Sequence, residues 1–200
     1  MISRVNNIKF LGVFHDQRMT FKAHINHLSK RLSRISALLY QVSDLMPEFV
    51  LRRMCNAHVG SLINYCNLIW ANTFPTHLSP IVKAQKRIVR IITKSDYLAH
   101  TAPLFDDTKI LTVENVRKLS LAKYCFLNIG NFTEDLLAHH HYNTRNRERL
   151  RPRAHNHSLF EKSFLYQAPI IWNEIADNCP NILTATSLSS FKKKYKSYLG

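Results

Sequence analysis

The stretch that decides the fold is residues 20–42, which read TFKAHINHLSKRLSRISALLYQV. Its apolar positions advance by alternating steps of three and four, the spacing that lines one face of an α-helix. These positions are Phe21, Ile25, Leu28, Leu32, Ile35, Leu39 and Val42. Thr20 is the predicted N-cap, because its hydroxyl can accept a hydrogen bond from a free N–H of the first turn. The stretch therefore predicts a long amphipathic helix.

Composition extends the helical prediction to most of the 200 residues. The chain is 46% hydrophobic, enough for a core, and its four glycines and seven prolines are too few for the many tight turns of an all-β fold. Further helices are predicted from Pro47 to Leu62, from Ser79-Pro80 to Ile92, from Thr112 to Phe126 and from Leu188 to Leu199. The predicted fold class is mainly α.

The N-terminus predicts a short β element. Residues 8–13 (IKFLGV) are rich in β-forming side chains and lead into a predicted turn at residues 14–16 (FHD). A single strand needs a partner, so we expect its sheet either in another molecule or in an earlier part of a longer chain.

The charge is strongly positive. Lysine and arginine number 28 against 13 acidic residues, giving +15 at pH 7. Such a balance favours phosphate polyanions through counterion release, so nucleic acid is the predicted partner. An anionic membrane surface is the competing partner, but no apolar run approaches the roughly 20 residues that span a bilayer. The first residues also lack the apolar core of a signal peptide. We expect an intracellular protein, nuclear or cytoplasmic, without a membrane partner.

Two basic segments are candidate nucleic-acid contacts. The first is a stripe along the third helix: Lys83, Lys86, Arg87, Arg90 and Lys94. Without acidic neighbours these charges repel each other unless an outside anion joins them. The second has an arginine at every other position: Arg145, Arg147, Arg149, Arg151 and Arg153. In an extended backbone they stand about 6.6 Å apart on one face, close to the step between phosphates of an extended single strand. A solvated helix face and a flexible basic loop or nuclear-import signal are the respective alternatives.

The sequence predicts no catalytic or metal site. His139, His140 and His141, with His155 and His157, lack cysteines nearby at zinc-ligand spacing. Asp106 and Asp107 are predicted to lie on a polar turn, because a two-metal site needs a third carboxylate from a separate strand. There is no G-x-S-x-G elbow, glycine-rich phosphate loop or H-E-x-x-H helix. The four scattered cysteines are expected to be reduced and buried. We expect no cofactor in this chain.

Short motifs in a fixed order run along nearly the whole chain. They are FLGV (10–13) with Asp16, MTF (19–21), HI (24–25), LINY (62–65) with Trp70, AQKR (84–87), RII (90–92), HTAPLF (100–105), KIL (109–111), YNTR (142–145), PIIWN (169–173), and Ser187 to Phe191 with the lysines after it. In this order they resemble the C-terminal part of reverse transcriptases from jockey-like non-LTR retrotransposons.

The resemblance implies an RNA-directed DNA polymerase whose catalytic palm, with its F/Y-A-D-D motif and Mg²⁺, would precede Met1. It implies terminal palm strands in residues 1–19, a thumb-like helical bundle in 20–137, a basic His/Arg-rich linker in 138–157 and a C-terminal α region in 158–200. We therefore expect a truncated fragment that binds RNA, DNA or hybrid template-primer without catalysis of its own, with the missing fingers-palm polypeptide as a second candidate partner. A thumb acting in trans, a domesticated binding or interaction module, and a non-functional remnant are the alternatives.

Overall fold

The computed structural model describes residues 5–132, 149–152 and 154–199. The strands are β1 (Asn7–Phe10) and β2 (Val13–Asp16). The helices are α1 (Lys22–Val42), α2 (Glu48–Cys55), α3 (Ser61–Asn64), α4 (Asn67–Trp70), α5 (Pro75–Ile92), α6 (Thr101–Thr108), α7 (Val113–Leu127), α8 (Phe164–Asn178) and α9 (Leu188–Leu199). The predicted fold class, mainly α with one or two N-terminal strands, is confirmed.

The N-terminal β element is two strands and not the single strand expected from residues 8–13, whereas its relation to a sheet outside this chain stays a prediction. β1 and β2 pair antiparallel, with Phe10 opposite Val13. The two residues between them, Leu11 and Gly12, both have positive φ, 45° and 81°. Positive φ at both central residues is the requirement of the tight hairpin turns whose twist matches that of the strands. The turn therefore lies at residues 11–12, inside the predicted strand, and residues 14–16, expected to form a turn, belong to β2.

The chain enters α1 through a turn held by the carboxylate of Asp16. Its Oδ1 accepts the backbone N–H groups of Arg18 and Thr20, at 3.1 and 3.0 Å, and its Oδ2 accepts that of Phe21 at 2.6 Å. The residue at the N-cap position is Phe21, with φ of 55°, and not Thr20 as predicted. Asp16 supplies most of the anchoring that was assigned to Thr20, whose hydroxyl oxygen accepts the N–H of Lys22 only at 3.5 Å.

One compact unit runs to Val116, and its core forms where α1 packs against α5. The predicted apolar face of α1 is confirmed, with Ile25, Leu28, Leu32 and Leu39 all buried. The indole of Trp70 is fully buried in this core.

The predicted second helix is helical throughout, as α2, a π-helical segment (Asn56–Gly60) and α3 in succession. The third, α5, begins at Pro75, so the predicted start at Ser79-Pro80 was wrong. Pro75 occupies the first turn, where a missing N–H costs nothing, while Pro80 lies inside the helix. Asp106 and Asp107 lie on α6, where a polar turn had been expected.

A second compact unit runs from Arg117 to Leu199. Its buried side chains include Leu121, Ile171, Ile175, Phe191 and Tyr195, from α7, α8 and α9. The predicted boundary at residue 138 lies outside the described residues, so the four-part division stays a prediction. No helix in the described ranges is both long enough and apolar enough to cross a membrane.

Candidate nucleic-acid interface

A groove of about 1120 Å³ lies between α1 and α5 and continues along the segment that follows α5. All five cations of the predicted stripe line it: Lys83, Lys86, Arg87, Arg90 and Lys94. The five residues therefore lie together at one groove, and their contact with nucleic acid stays a prediction.

The helix period explains how α5 contributes apolar side chains to the core and cations to the groove. At 100° per residue, the cations from Lys83 to Arg90 fall within about 100° of arc and extend about 10 Å along the axis. Ile81, Ile88 and Ile92 lie on the opposite side of the helix and are buried. Lys94 lies past the last helical residue, with φ of 51°, so the stripe leaves the helix at its end but stays in the groove.

The stripe carries uncompensated positive charge. Among the residues that the structure describes, none of its five members forms an ion pair, although Asp44 also lines the groove. Lys83, Lys86, Arg87 and Lys94 are exposed, whereas Arg90 is half-buried. Neighbouring cations on such a face are about 5 to 6 Å apart at Cβ, so each raises the electrostatic energy of the next until an anion binds.

Arg90 differs from the other four because the protein holds its guanidinium. Nε donates to the carbonyl of Ala99 at 3.0 Å, and Nη1 lies 3.5 Å from the carbonyl of Lys86. The guanidinium also lies over the ring of Tyr97, with 5.9 Å from Cζ to the ring centroid. Arg90 therefore fixes the segment after α5 as well as adding charge to the groove.

The opposite wall comes from α1 and was missed in the sequence. It is lined by Ser29, Ser33 and Tyr40, which share one face of the helix, and by Ser43 and Asp44, which directly follow its last residue. Ser33 and Ser43 donate their hydroxyl protons to the backbone carbonyls of Ser29 and Tyr40, four and three residues earlier. Small hydroxyl residues recurring on one helix face were the available signal.

The alternating-arginine segment is described only in part: Arg145, Arg147 and Arg153 lie outside the described residues, whereas Arg149 and Arg151 lie within them. Arg149 forms an ion pair with Asp177 of α8, at 2.6 Å from Nη2 to Oδ1. Asn173 binds both backbone groups of Leu150, accepting from its N–H at 3.0 Å and donating to its carbonyl at 2.8 Å. This part of the segment is therefore attached to α8, and Leu150 is buried.

The described residues hold no group of three or more His, Cys, Asp or Glu side chains placed to bind a metal ion. His155 contacts Glu161 at 3.2 Å, and His139 to His141 lie outside the described residues. All four cysteines are free, with Cys55 and Cys125 buried and Cys66 and Cys179 half-buried. Burial raises the pKa of the Cys55 and Cys125 thiols to about 12, so neither is a thiolate nucleophile at neutral pH.

Over 115 residues the chain is 26% identical to the probable RNA-directed DNA polymerase from transposon X-element of Drosophila melanogaster. The chain is similar to part of a transposon reverse transcriptase. The match covers 56% of this chain and 13% of the length of that polymerase. No protein-family model matches, and no solved structure matches significantly. The similarity supports a relation to reverse transcriptases, and the jockey-like and C-terminal placement stays a prediction.

Several motif residues that carried the resemblance hold backbone groups in place. Besides Asp16 and Asn173, the Tyr65 hydroxyl donates to the carbonyl of Leu11 at 2.6 Å and so joins the hairpin turn to the end of α3. The indole N–H of Trp70 donates to the carbonyl of Tyr65 at 2.8 Å. These motif residues therefore stabilise turns and helix ends within their own units.

Proposed function

We propose that this chain is the thumb-like, nucleic-acid-holding portion of a retrotransposon RNA-directed DNA polymerase, and that it grips the template-primer by its phosphates in the α1–α5 groove. The main observation in support is that five cations line one groove, and none of them forms an ion pair with another described residue. The similarity to a transposon reverse transcriptase supplies the context in which such a groove is useful.

A phosphate backbone fits this groove better than an acidic protein surface does. Cations one helix turn apart form a row about 10 Å long, which suits a polymer with regularly repeated charge. Lysine and arginine together combine point charges with planar forks that bind two phosphate oxygens. In this proposal DNA synthesis and its Mg²⁺ belong to the palm of the parent polymerase.

The test is the salt dependence of binding to a fluorescent RNA–DNA template-primer, measured by anisotropy with the full chain. We expect the affinity to fall steeply as salt rises, because bound cations release counterions from the phosphates. The double variant K83E/R87E should bind more than tenfold more weakly, with the slope of log affinity against log salt smaller by about two.

The matched control is K22E/K30E. It makes the same change in net charge on two exposed residues of α1 that do not line the groove. Binding without salt dependence, or equal losses in the two double variants, would show that the groove does not hold the phosphates.

A further inference from the structure

An exposed aromatic ring stands in the wall of the basic groove. Tyr97 lines the groove together with the five cations, and 79% of its surface is accessible. Resting on the function proposed above, we propose that the groove binds an unpaired nucleotide of a nucleic-acid strand. The base of this nucleotide stacks on Tyr97, while the phosphates of the strand contact the cations.

The turn that carries Tyr97 is fixed by its own hydrogen bonds. The side-chain carboxylate of Asp96 accepts a hydrogen bond from the N–H of Leu98 at 2.8 Å. The backbone carbonyl of Asp96 accepts one from the N–H of Ala99 at 3.0 Å. The carbonyl of Ala99 in turn accepts from Arg90 of α5 at 3.0 Å. The ring is therefore presented from a turn fastened to the basic helix.

The guanidinium of Arg90 contacts the ring of Tyr97 and helps to hold it in place. The Arg90 guanidinium lies 5.9 Å from the ring centroid of Tyr97, a cation–π distance. With one side of the ring on Arg90 and most of its surface accessible, the ring offers a platform for the face of a base. A second tyrosine, Tyr40, lines the opposite wall and is 66% exposed.

Phosphate-binding cations beside accessible aromatic rings are the combination that binds single strands without sequence preference. A base inside a duplex is stacked on its neighbours and paired, so its face is not available to a ring that lies beside the backbone. Stacking on Tyr97 therefore requires an unpaired base, whereas the cations alone would hold either form.

The alternative role of this turn is an apolar contact with a protein. Leu98 follows Tyr97 on the same turn and is 82% exposed, but it does not line the groove. It therefore provides a matched control, since an apolar docking site would use both side chains and a base platform only Tyr97.

The experiment compares three probes with the full chain: a single strand of about 12 nucleotides, the same strand with abasic sites throughout, and the duplex of the same length. We expect Y97A to weaken binding of the base-bearing single strand about tenfold while leaving the abasic strand and the duplex unchanged. Y97F should bind like the unaltered protein, and L98A should bind all three probes normally.

Each other outcome overturns the inference. Equal losses on all three probes in Y97A would mean that the ring only shapes the groove. A loss in L98A equal to that in Y97A would assign the turn to apolar docking. Strong binding that Y97A does not change, but K83E/R87E abolishes, would refute the stacking and leave the phosphate-gripping function standing. Absence of salt-dependent binding to any probe would refute both.

Discussion

Gln85 and Val113 are joined across 28 residues of sequence by a hydrogen bond of 2.8 Å from the backbone N–H of Val113 to Oε1 of Gln85. Nε2 of the same amide donates to the carbonyl of Leu111 at 3.2 Å. Gln85 is only 5% exposed and lies on the side of α5 opposite the cations. One helix therefore holds the groove charges on one side and the start of α7 on the other.

Replacing Gln85 should cost stability without altering the groove. Q85A leaves a buried N–H and a carbonyl without their partners, so we expect the free energy of unfolding to fall by about 2 to 3 kcal/mol, measured in urea. Q41A removes the same side chain from an exposed position on α1 and is the control. A loss of stability in Q85A no larger than in Q41A would show that the two hydrogen bonds of Gln85 contribute little to the free energy of unfolding.

The ion pair between Arg149 and Asp177 predicts a change in binding rather than in stability. Both side chains are about half exposed, 51% and 50%, so D177N should alter the unfolding free energy by less than about 1 kcal/mol. The variant releases Arg149 from its ion pair, so that it can bind a phosphate. We therefore expect the slope of log affinity against log salt to steepen by about one.

D107N is the control for that variant, because it removes one exposed negative charge from α6. An equal change in the two variants would assign the effect to net charge alone. It would also mean that the released Arg149 binds no phosphate.

The helices were predictable because their evidence is local. The period of residues 20–42 predicted the buried face of α1, and the spacing of the basic residues predicted a stripe of cations along α5. The hairpin was missed because Leu11 adopts a positive φ that its residue type does not favour. Helix α6 was missed because Pro103 lies in its first turn, where proline is tolerated.

The groove itself was not predictable, because it depends on which faces of α1 and α5 meet. Ser29 and Tyr40 have no sequence relation to Lys83, and only packing brings them to one cavity. The platform of Tyr97 likewise depends on the contact between Arg90 and Ala99, which no periodicity encodes.

His24 is a buried polar side chain of α1. It is 2% exposed, and neither ring nitrogen has a hydrogen bond in the described part of the protein. Its ring packs edge-on against Trp70, with centroids 5.7 Å apart. Burial, with smaller effects of the charges on His27 and His15, lowers the pKa of His24 to about 4.

That pKa makes the fold acid-sensitive. The unfolded chain takes up a proton near pH 6.5, whereas folded His24 does so only near pH 4, so stability falls as the pH decreases between about 6.5 and 4. H24F should be at least as stable at pH 7, because two unpaired nitrogens are removed, and should lose less stability on going to pH 5. H58F, at an exposed histidine, is the control, and an unchanged pH profile in H24F would contradict the prediction.

Asp16 predicts a second acid response at lower pH. Burial alone would raise its pKa, but the hydrogen bonds from Thr20, Phe21 and Arg18 together outweigh it and hold the pKa below its ordinary value. The stabilisation by a depressed carboxyl is present above its unfolded pKa of about 4 and is lost as the pH falls through the folded value.

D16N should therefore be less stable at pH 7 by about 2 kcal/mol, because charge-assisted hydrogen bonds at the entry to α1 are weakened. This deficit should shrink as the pH falls below about 4, where the protonated aspartate loses the same advantage. Measuring stability with and without D16N in the H24F background removes the pH dependence that arises from His24. D106N on α6 is the control for the loss of one negative charge. A deficit that stays constant down to pH 2 would show that the ionisation of Asp16 does not stabilise the turn.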